Sequence, residues 1–126
     1  MKSRESEEMY LETIYVLKQK NPNLRSVDVA AELGYSKPSV SNAMKRLREK
    51  EYVSIDASGV IRLTESSQKA AMHIYERHHL LTAMFVHLGA NVKLAEENAC
   101  RIEHVISEEL VDIIRTHLLD KRASVQ

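Results

Sequence analysis

Between residues 26 and 64 the hydrophobic period of the sequence switches from helical to alternating, an order that few folds accommodate. Val27 to Leu33 reads as a short helix with Ser26 as N-cap. Asp28 lies in its first turn, where a carboxylate favours the positive end of the helix dipole. Gly34 suits the position just past a helix end, where φ is positive. Two residues on, Ser36 caps a second helix with Pro38 in its first turn, where a missing N–H costs little, running to about Glu51. Val40, Met44 and Leu47 recur at i, i+4 and i+7 as its buried stripe, leaving Lys37, Ser39, Ser41, Asn42, Lys45, Arg46 and Arg48 outward. Val53-Ser54-Ile55-Asp56 then alternates apolar and polar, Ala57-Ser58-Gly59 is a turn, and Val60 to Thr64 alternates again, which predicts a β-hairpin. The helix pair alone also occurs in ordinary helical hairpins. Followed by a hairpin it reads as a winged helix-turn-helix, a DNA-reading unit.

The flanking sequence is helical. Glu7 to Lys20 carries Tyr10, Ile14 and Leu17 on one stripe, flanked by Leu11 and Tyr15, and stops at Asn21-Pro22-Asn23. Thr64 caps a long helix that reaches Leu88 before Gly89. On it Ile74, His78, Leu81 and Phe85 face inward, and His79 points about 100° away. Lys93 to Ile106 follows, and Ser107 caps a last helix, Glu108 to Leu119, ahead of a polar tail. The fold class is therefore mainly α: a winged helix-turn-helix with a two-stranded β wing over residues 1–64, then an all-α domain over residues 65–126.

The chain has 126 residues, enough for one domain or two small ones that fold without staples. Its single cysteine excludes an intrachain disulfide, and Cys100 stays reduced only in a reducing compartment, so the expected location is the cytoplasm. The start is charged and no apolar run approaches the roughly 18 residues of a membrane span, so neither signal peptide nor membrane anchor is read. Charge balances overall at 18 basic and 18 acidic residues, which argues against blanket attraction to nucleic acid. Its distribution is uneven. Between Lys37 and Lys50 five basic residues face Glu49 alone, the footprint of a phosphate-binding stripe or, equally, of a solvated helix face.

The chemistry concentrates at Cys100-Arg101-Ile102-Glu103-His104. On a helix, positions i, i+3 and i+4 share a face, so Cys100, Glu103 and His104 can present a thiolate, a carboxylate and an imidazole to one point. That outlines a transition-metal site, although Glu and His at this spacing occur on many solvated helix faces and a lone cysteine is usually a small buried hydrophobe. His78, on the inward stripe, is either a hydrogen-bonded core histidine or a further ligand. Met9 and Glu12 share a helix face at i and i+3; taken alone they read as a core gap-filler and a surface charge.

With wing and candidate ligands in hand, the chain resembles the diphtheria-toxin-repressor and manganese-transport-regulator family of metal-dependent bacterial repressors. The resemblance runs over about residues 6–119. It is carried by Glu8-Met9-Tyr10-Leu11-Glu12-Thr13-Ile14-Tyr15, by Ser36-Lys37-Pro38-Ser39-Val40-Ser41, and by Leu63-Thr64, Arg77-His78 and Ala99-Cys100-Arg101-Ile102-Glu103-His104. It implies a DNA-binding homodimer, with residues 65–126 as a metal-binding and dimerisation domain. The family's metal positions fall on Met9, Glu12, His78, Cys100, Glu103 and His104. Met9 and Cys100 match the iron-responsive branch, Glu12 the manganese branch. Thr82 and Glu96 stand where the iron branch builds an ancillary site, so a second ion, if present, is expected on Glu12 and His78. The expected form is the short, two-domain one, without the SH3-like domain of longer relatives.

Thioether, thiolate, imidazole and carboxylate together suit a borderline divalent ion and poorly suit Mg²⁺ or Ca²⁺. Fe²⁺ is favoured with Mn²⁺ close behind, and Co²⁺, Ni²⁺ or Zn²⁺ are expected to substitute in vitro. At the DNA, resemblance and geometry together put Ser36, Pro38, Ser39 and Asn42 nearest base edges of a palindromic operator of metal-uptake genes. Lys37, Lys45, Arg46 and Arg62 are expected on phosphates. The rival reading is a winged-helix regulator responding to redox at Cys100 or to a small molecule. An enzyme is not expected: no Gly-rich loop, nucleophile elbow or H-E-x-x-H motif occurs.

Overall fold

The computed structural model describes residues 2–125, and the side chains of residues 6–120. The described residues form six helices and one antiparallel hairpin: α1 (Lys2–Lys20), α2 (Ser26–Leu33), α3 (Lys37–Glu49), β1 (Val53–Ile55), β2 (Ile61–Leu63), α4 (Glu65–His87), α5 (Val92–Ile102) and α6 (Glu108–Val125). They divide into two compact units, Met1–Met72 and His73–Gln126, with the division falling inside α4. None of these helices is long and apolar enough to cross a membrane.

In the first unit, Tyr10, Leu11 and Ile14 of α1 are buried with Val29 and Ala30 of α2, Val40, Ala43, Met44 and Leu47 of α3, and Val53 and Ile61 of the wing. The stripes read from periodicity are thus the ones that meet. The capping of α2 differs from the reading: Arg25 is its N-cap, and the Asp28 carboxylate accepts the Arg25 N–H at 2.9 Å, so the acidic residue closes the helix start by reaching back rather than Ser26 reaching forward. Ser36 does cap α3, its Oγ accepting the Ser39 N–H at 3.3 Å. Gly34, at φ 69°, supplies the left-handed step between the two helices.

α3 stops two residues short of the expected Glu51. Glu51 adopts φ 62°, Tyr52 donates its N–H to the Leu47 carbonyl at 2.9 Å, and Glu51 donates to Arg48 at 3.0 Å. This is a Schellman closure with a glutamate in the left-handed position that glycine favours. Glu51→Gly is therefore expected to stabilise the first unit by about 0.5–1 kcal/mol, the usual gain from a repaired cap. A rise in the urea midpoint with unchanged slope is the measurement; an unchanged or lowered midpoint refutes it.

The wing pairs Val53 with Leu63, Ser54 with Arg62 and Ile55 with Ile61. At its tip Asp56 Oδ1 accepts N–H bonds from Ser58 at 2.9 Å and Val60 at 3.0 Å, which closes the turn on one carboxylate. The Ser58 hydroxyl and these backbone bonds, with Arg62 nearby, hold the Asp56 carboxyl below its ordinary range. The hairpin is not confined to its two strands. Ile61 donates to the Leu24 carbonyl at 2.8 Å, Arg25 bridges Val60, and the Lys18 ammonium donates to the Ile61 carbonyl at 2.7 Å.

α4 opens with a reciprocal cap: Thr64 N–H donates to Ser67 Oγ at 2.9 Å and Ser67 N–H to Thr64 Oγ1 at 3.3 Å. In the second unit Ile74, Arg77 and Leu81 are buried along α4, Ala95 and Ala99 along α5, and Val111 and Leu118 along α6. Asn91 Oδ1 accepts the Leu94 N–H at 2.9 Å to start α5. α6 runs beyond the expected Leu119 to Val125, and α1 begins before the expected Glu7; neither extension contains a glycine or proline to stop it. The third departure bears on function. The helix read as Lys93 to Ile106 ends at Ile102, and residues 103–105 form a turn.

Candidate metal centre and nucleic-acid interface

That turn carries Glu103 and His104. Glu103 keeps right-handed dihedrals and its N–H still donates to the Ala99 carbonyl, but the Ile102 carbonyl then takes both the Val105 N–H, a tightened bond, and the Ile106 N–H, each at 3.0 Å. In a continuing helix the Glu103 carbonyl accepts from residue 107. Here the Arg77 guanidinium donates to it instead, at 2.6 Å, and Ser107 Oγ accepts the Leu110 N–H at 3.2 Å to begin α6. A cation from α4 thus takes the carbonyl that propagation requires.

Glu103 is 1% exposed, the one buried carboxylate among the described residues. Its Oε2 lies 2.6 Å from His78 Nδ1 and its Oε1 lies 3.1 Å from His104 Nε2. The second unit therefore brings three of the six candidate ligands together, two imidazoles on one buried carboxylate. Cys100, one turn earlier on α5, is exposed. In the first unit Met9 and Glu12 are both half-buried on α1, and the Tyr35 hydroxyl donates to Met9 Sδ at 3.7 Å. The donor set fits a borderline divalent ion: imidazole nitrogen and carboxylate oxygen are good donors to Fe²⁺, Mn²⁺, Co²⁺ and Zn²⁺, and a desolvated carboxylate strengthens the attraction to a cation.

Two further residues adjoin this centre. Glu108 pairs through one oxygen with Arg77 and through the other with His73 Nε2 at 2.8 Å. The His73 hydrogen bond, then the Arg77 charge, hold the Glu108 carboxyl below its ordinary range against partial burial. A carboxyl depressed on folding contributes stability that is present above its unfolded pKa and lost as pH falls through its folded one. The second unit is thus expected to lose stability under acid, and Glu108→Gln to flatten that loss. Thermal melts from roughly pH 6 to roughly pH 3, across the carboxylate range, check this; equal slopes in both proteins contradict it. Arg77 and Glu108 were not singled out by function in the sequence. For Arg77 a signal existed: it falls at i+3 from Ile74 and i−4 from Leu81, on the buried stripe.

On the other unit, Ser36, Lys37, Pro38, Ser39, Asn42, Lys45 and Arg46 are all exposed, along the start and outer side of α3. Ser36, Ser39, Asn42 and Arg46 line one cleft with Tyr10, Gly34 and Tyr35. Tyr35, 45% exposed and edge-on to Tyr10 at 6.4 Å, is a residue of this cleft that the sequence reading passed over. An aromatic between a helix-ending glycine and an N-cap serine was the available signal. Arg62 projects from β2 with its side chain 65% exposed, 4.0 Å from Asp56 Oδ2. Cationic side chains on one helix and its wing suit a phosphate backbone, and the amide and hydroxyls between them suit base edges.

Two family descriptions match the chain: "iron dependent repressor, N-terminal DNA binding domain" over residues 3–59 and "iron dependent repressor, metal binding and dimerisation domain" over residues 64–122. The HTH-type transcriptional regulator MJ0568 of Methanocaldococcus jannaschii is 32% identical over 113 residues, covering 88% of this chain and 90% of that protein. The transcriptional regulator MntR of Escherichia coli is 33% identical over 112 residues, covering 89% of this chain and 72% of that one. Among solved structures, a manganese-dependent transcriptional repressor in complex with manganese matches with TM-score 0.81 at 26% identity, over 89% of this chain and 52% of that one. ScaR with bound Cd²⁺ matches with TM-score 0.77 at 30% identity, over 90% of this chain and 53% of that one. The chain thus spans about half the length of these two structures. With both halves matched in order, the chain belongs to the iron-dependent repressor family, whose members are metal-dependent, DNA-binding and dimerising transcriptional regulators and not enzymes.

Proposed function

We propose that this chain is a homodimeric repressor of metal-uptake or metal-homeostasis genes, with Fe²⁺ or Mn²⁺ as corepressor. The observation that carries the reading is the buried Glu103 carboxylate set between His78 and His104. Met9 and Glu12, with His78, Cys100, Glu103 and His104, would hold the ion jointly; bound there, it supplies a divalent positive charge and directional ligand bonds. Because these donors belong to both units, their bond energy selects one arrangement of the dimer, that in which two α3 helices read successive major grooves of a palindromic operator. Shifting such an equilibrium from 1:99 to 99:1 takes about 5.5 kcal/mol of differential binding, within the reach of several ligand bonds. The domain division read from the sequence, 1–64 and 65–126, is part of this proposal.

On the DNA, Ser36, Pro38, Ser39 and Asn42 approach base edges, with Asn42 able to pair bidentately with adenine, while Lys37, Lys45, Arg46 and Arg62 hold phosphates. The dimer contact is assigned to apolar side chains left exposed on the second unit, among them Leu110 and Ile113 of α6. Relatives named for manganese and for iron both exist, and a structural relative carries Cd²⁺, so the choice of ion is a matter for measurement. Exposure of Cys100 favours a second reading, a redox-responsive winged-helix regulator.

The test is DNA binding by the full chain to a duplex selected from a random pool, titrated with Fe²⁺ under anaerobic conditions and with Mn²⁺ at matched free concentrations. Metal is expected to raise affinity at least about tenfold, a 1.4 kcal/mol effect. The double variant Cys100→Ala, Glu103→Ala should lose that gain. Equal stimulation in variant and parent rejects the metal reading, and a gain that instead follows the oxidation state of Cys100 installs the second.

A further inference from the structure

We infer that Arg77 is the positioning residue of the candidate metal centre: its guanidinium ends α5 at Ile102 and holds the 103–105 turn so that Glu103 and His104 face His78. The inference rests on the metal reading above and adds to it a residue that donates nothing to an ion. Arg77 is 5% exposed. Its Nη1 donates to the Glu103 carbonyl at 2.6 Å, and its Nη2 is paired with Glu108 Oε1. The other Glu108 oxygen is 2.8 Å from His73 Nε2, so the guanidinium is itself held from the far side.

Three physical points give this arrangement its function. First, the carbonyl taken is that of Glu103 itself, so the restraint acts on the peptide next to the carboxylate and one residue from His104. A shift there is carried directly to both side chains. Second, burial of a guanidinium is a poor device for stability: replacing a buried ion pair with well-packed apolar groups is often neutral or stabilising. Among the described residues Arg77 Nε is the one buried side-chain polar atom lacking a hydrogen-bond partner, which adds to that cost. A leucine would fill the same stripe position between Ile74 and Leu81 without it. Third, the task needs a planar fork. One nitrogen must reach a backbone carbonyl while another reaches a carboxylate, with the two held at fixed separation; a lysine ammonium is a single point on a flexible stem.

The test uses the full chain and Arg77→Lys, with Mn²⁺ affinity by calorimetry, the visible absorption spectrum of the Co²⁺-loaded protein, and thermal melting. Arg77→Lys is expected to bind Mn²⁺ about 10–100-fold more weakly, the range for loss of a group that orients ligands. Its saturated Co²⁺ spectrum is expected to change in band position or intensity. A purely structural role lowers the melting temperature but leaves the saturated spectrum alone, so an unchanged spectrum with Mn²⁺ affinity within about threefold of the parent, roughly 0.6 kcal/mol, overturns the inference. Should Arg77→Lys fail to fold, Glu108→Gln, which loosens the guanidinium from behind, replaces it: a moved Co²⁺ spectrum supports the inference and an unmoved one overturns it. If the parent chain binds neither Co²⁺ nor Mn²⁺, the metal reading falls first and this inference with it, an outcome recognisable without any variant.

Discussion

Replacing Glu103 by Gln is expected to lower Mn²⁺ affinity by more than about 100-fold, beyond the range for groups that only orient ligands. The amide keeps the shape and the volume of the side chain, so the second unit should retain its helices. What is lost is the charge. A neutral carboxamide is a weaker donor than an ionised carboxylate, and at a site removed from water the missing attraction to a dication is not replaced by solvent. Among the described residues no other carboxylate of comparable burial exists to substitute. Calorimetric titration with Mn²⁺, alongside far-ultraviolet circular dichroism to verify folding, checks this. A folded Glu103→Gln protein binding Mn²⁺ within about threefold of the parent removes Glu103 from the ligand set.

The largest stability effect is expected at Ile14. It is fully buried on α1 and belongs to the core formed with α2, α3 and the wing. Ile14→Ala deletes three side-chain carbons and leaves a void that surrounding side chains fill only in part, at about 2–5 kcal/mol. Domains of this kind are stable by about 5–15 kcal/mol in all, so the variant stands near the edge of folding at elevated temperature. Equilibrium urea unfolding of the full chain is the measurement; a loss under about 1 kcal/mol would mean that the core closes around the gap.

Much of the winged unit was legible because its signals are local. Gly34 and the Ser36-Lys37-Pro38 start name the turn and the helix boundary by backbone chemistry, and the alternation around Ala57-Ser58-Gly59 names the hairpin. The turn at residues 103–105 was not legible in the same way. From Lys93 onward no glycine, proline or capping residue marks Ile102 as an end, because the agent that ends the helix is Arg77, 26 positions back in sequence. Periodicity cannot register a carbonyl captured from another helix. The same reason hid Glu108, whose role depends on what stands opposite it. Grouping Glu103 with His104 and His78 came from composition and spacing, both of which are readable without knowing where α5 ends.

The wing's anchoring has a mechanical side. A lone two-stranded ribbon is marginal in water, yet here β2 shares a backbone bond with Leu24 and takes a side-chain bond from Lys18, while Arg25 both bridges Val60 and opens α2. Lifting the ribbon away means breaking bonds to the segment from which α2 starts. The arm that presents Arg62 is therefore a stiff bracket bolted to the helix pair, and a load placed on it is transmitted to that pair rather than dissipated in a hinge.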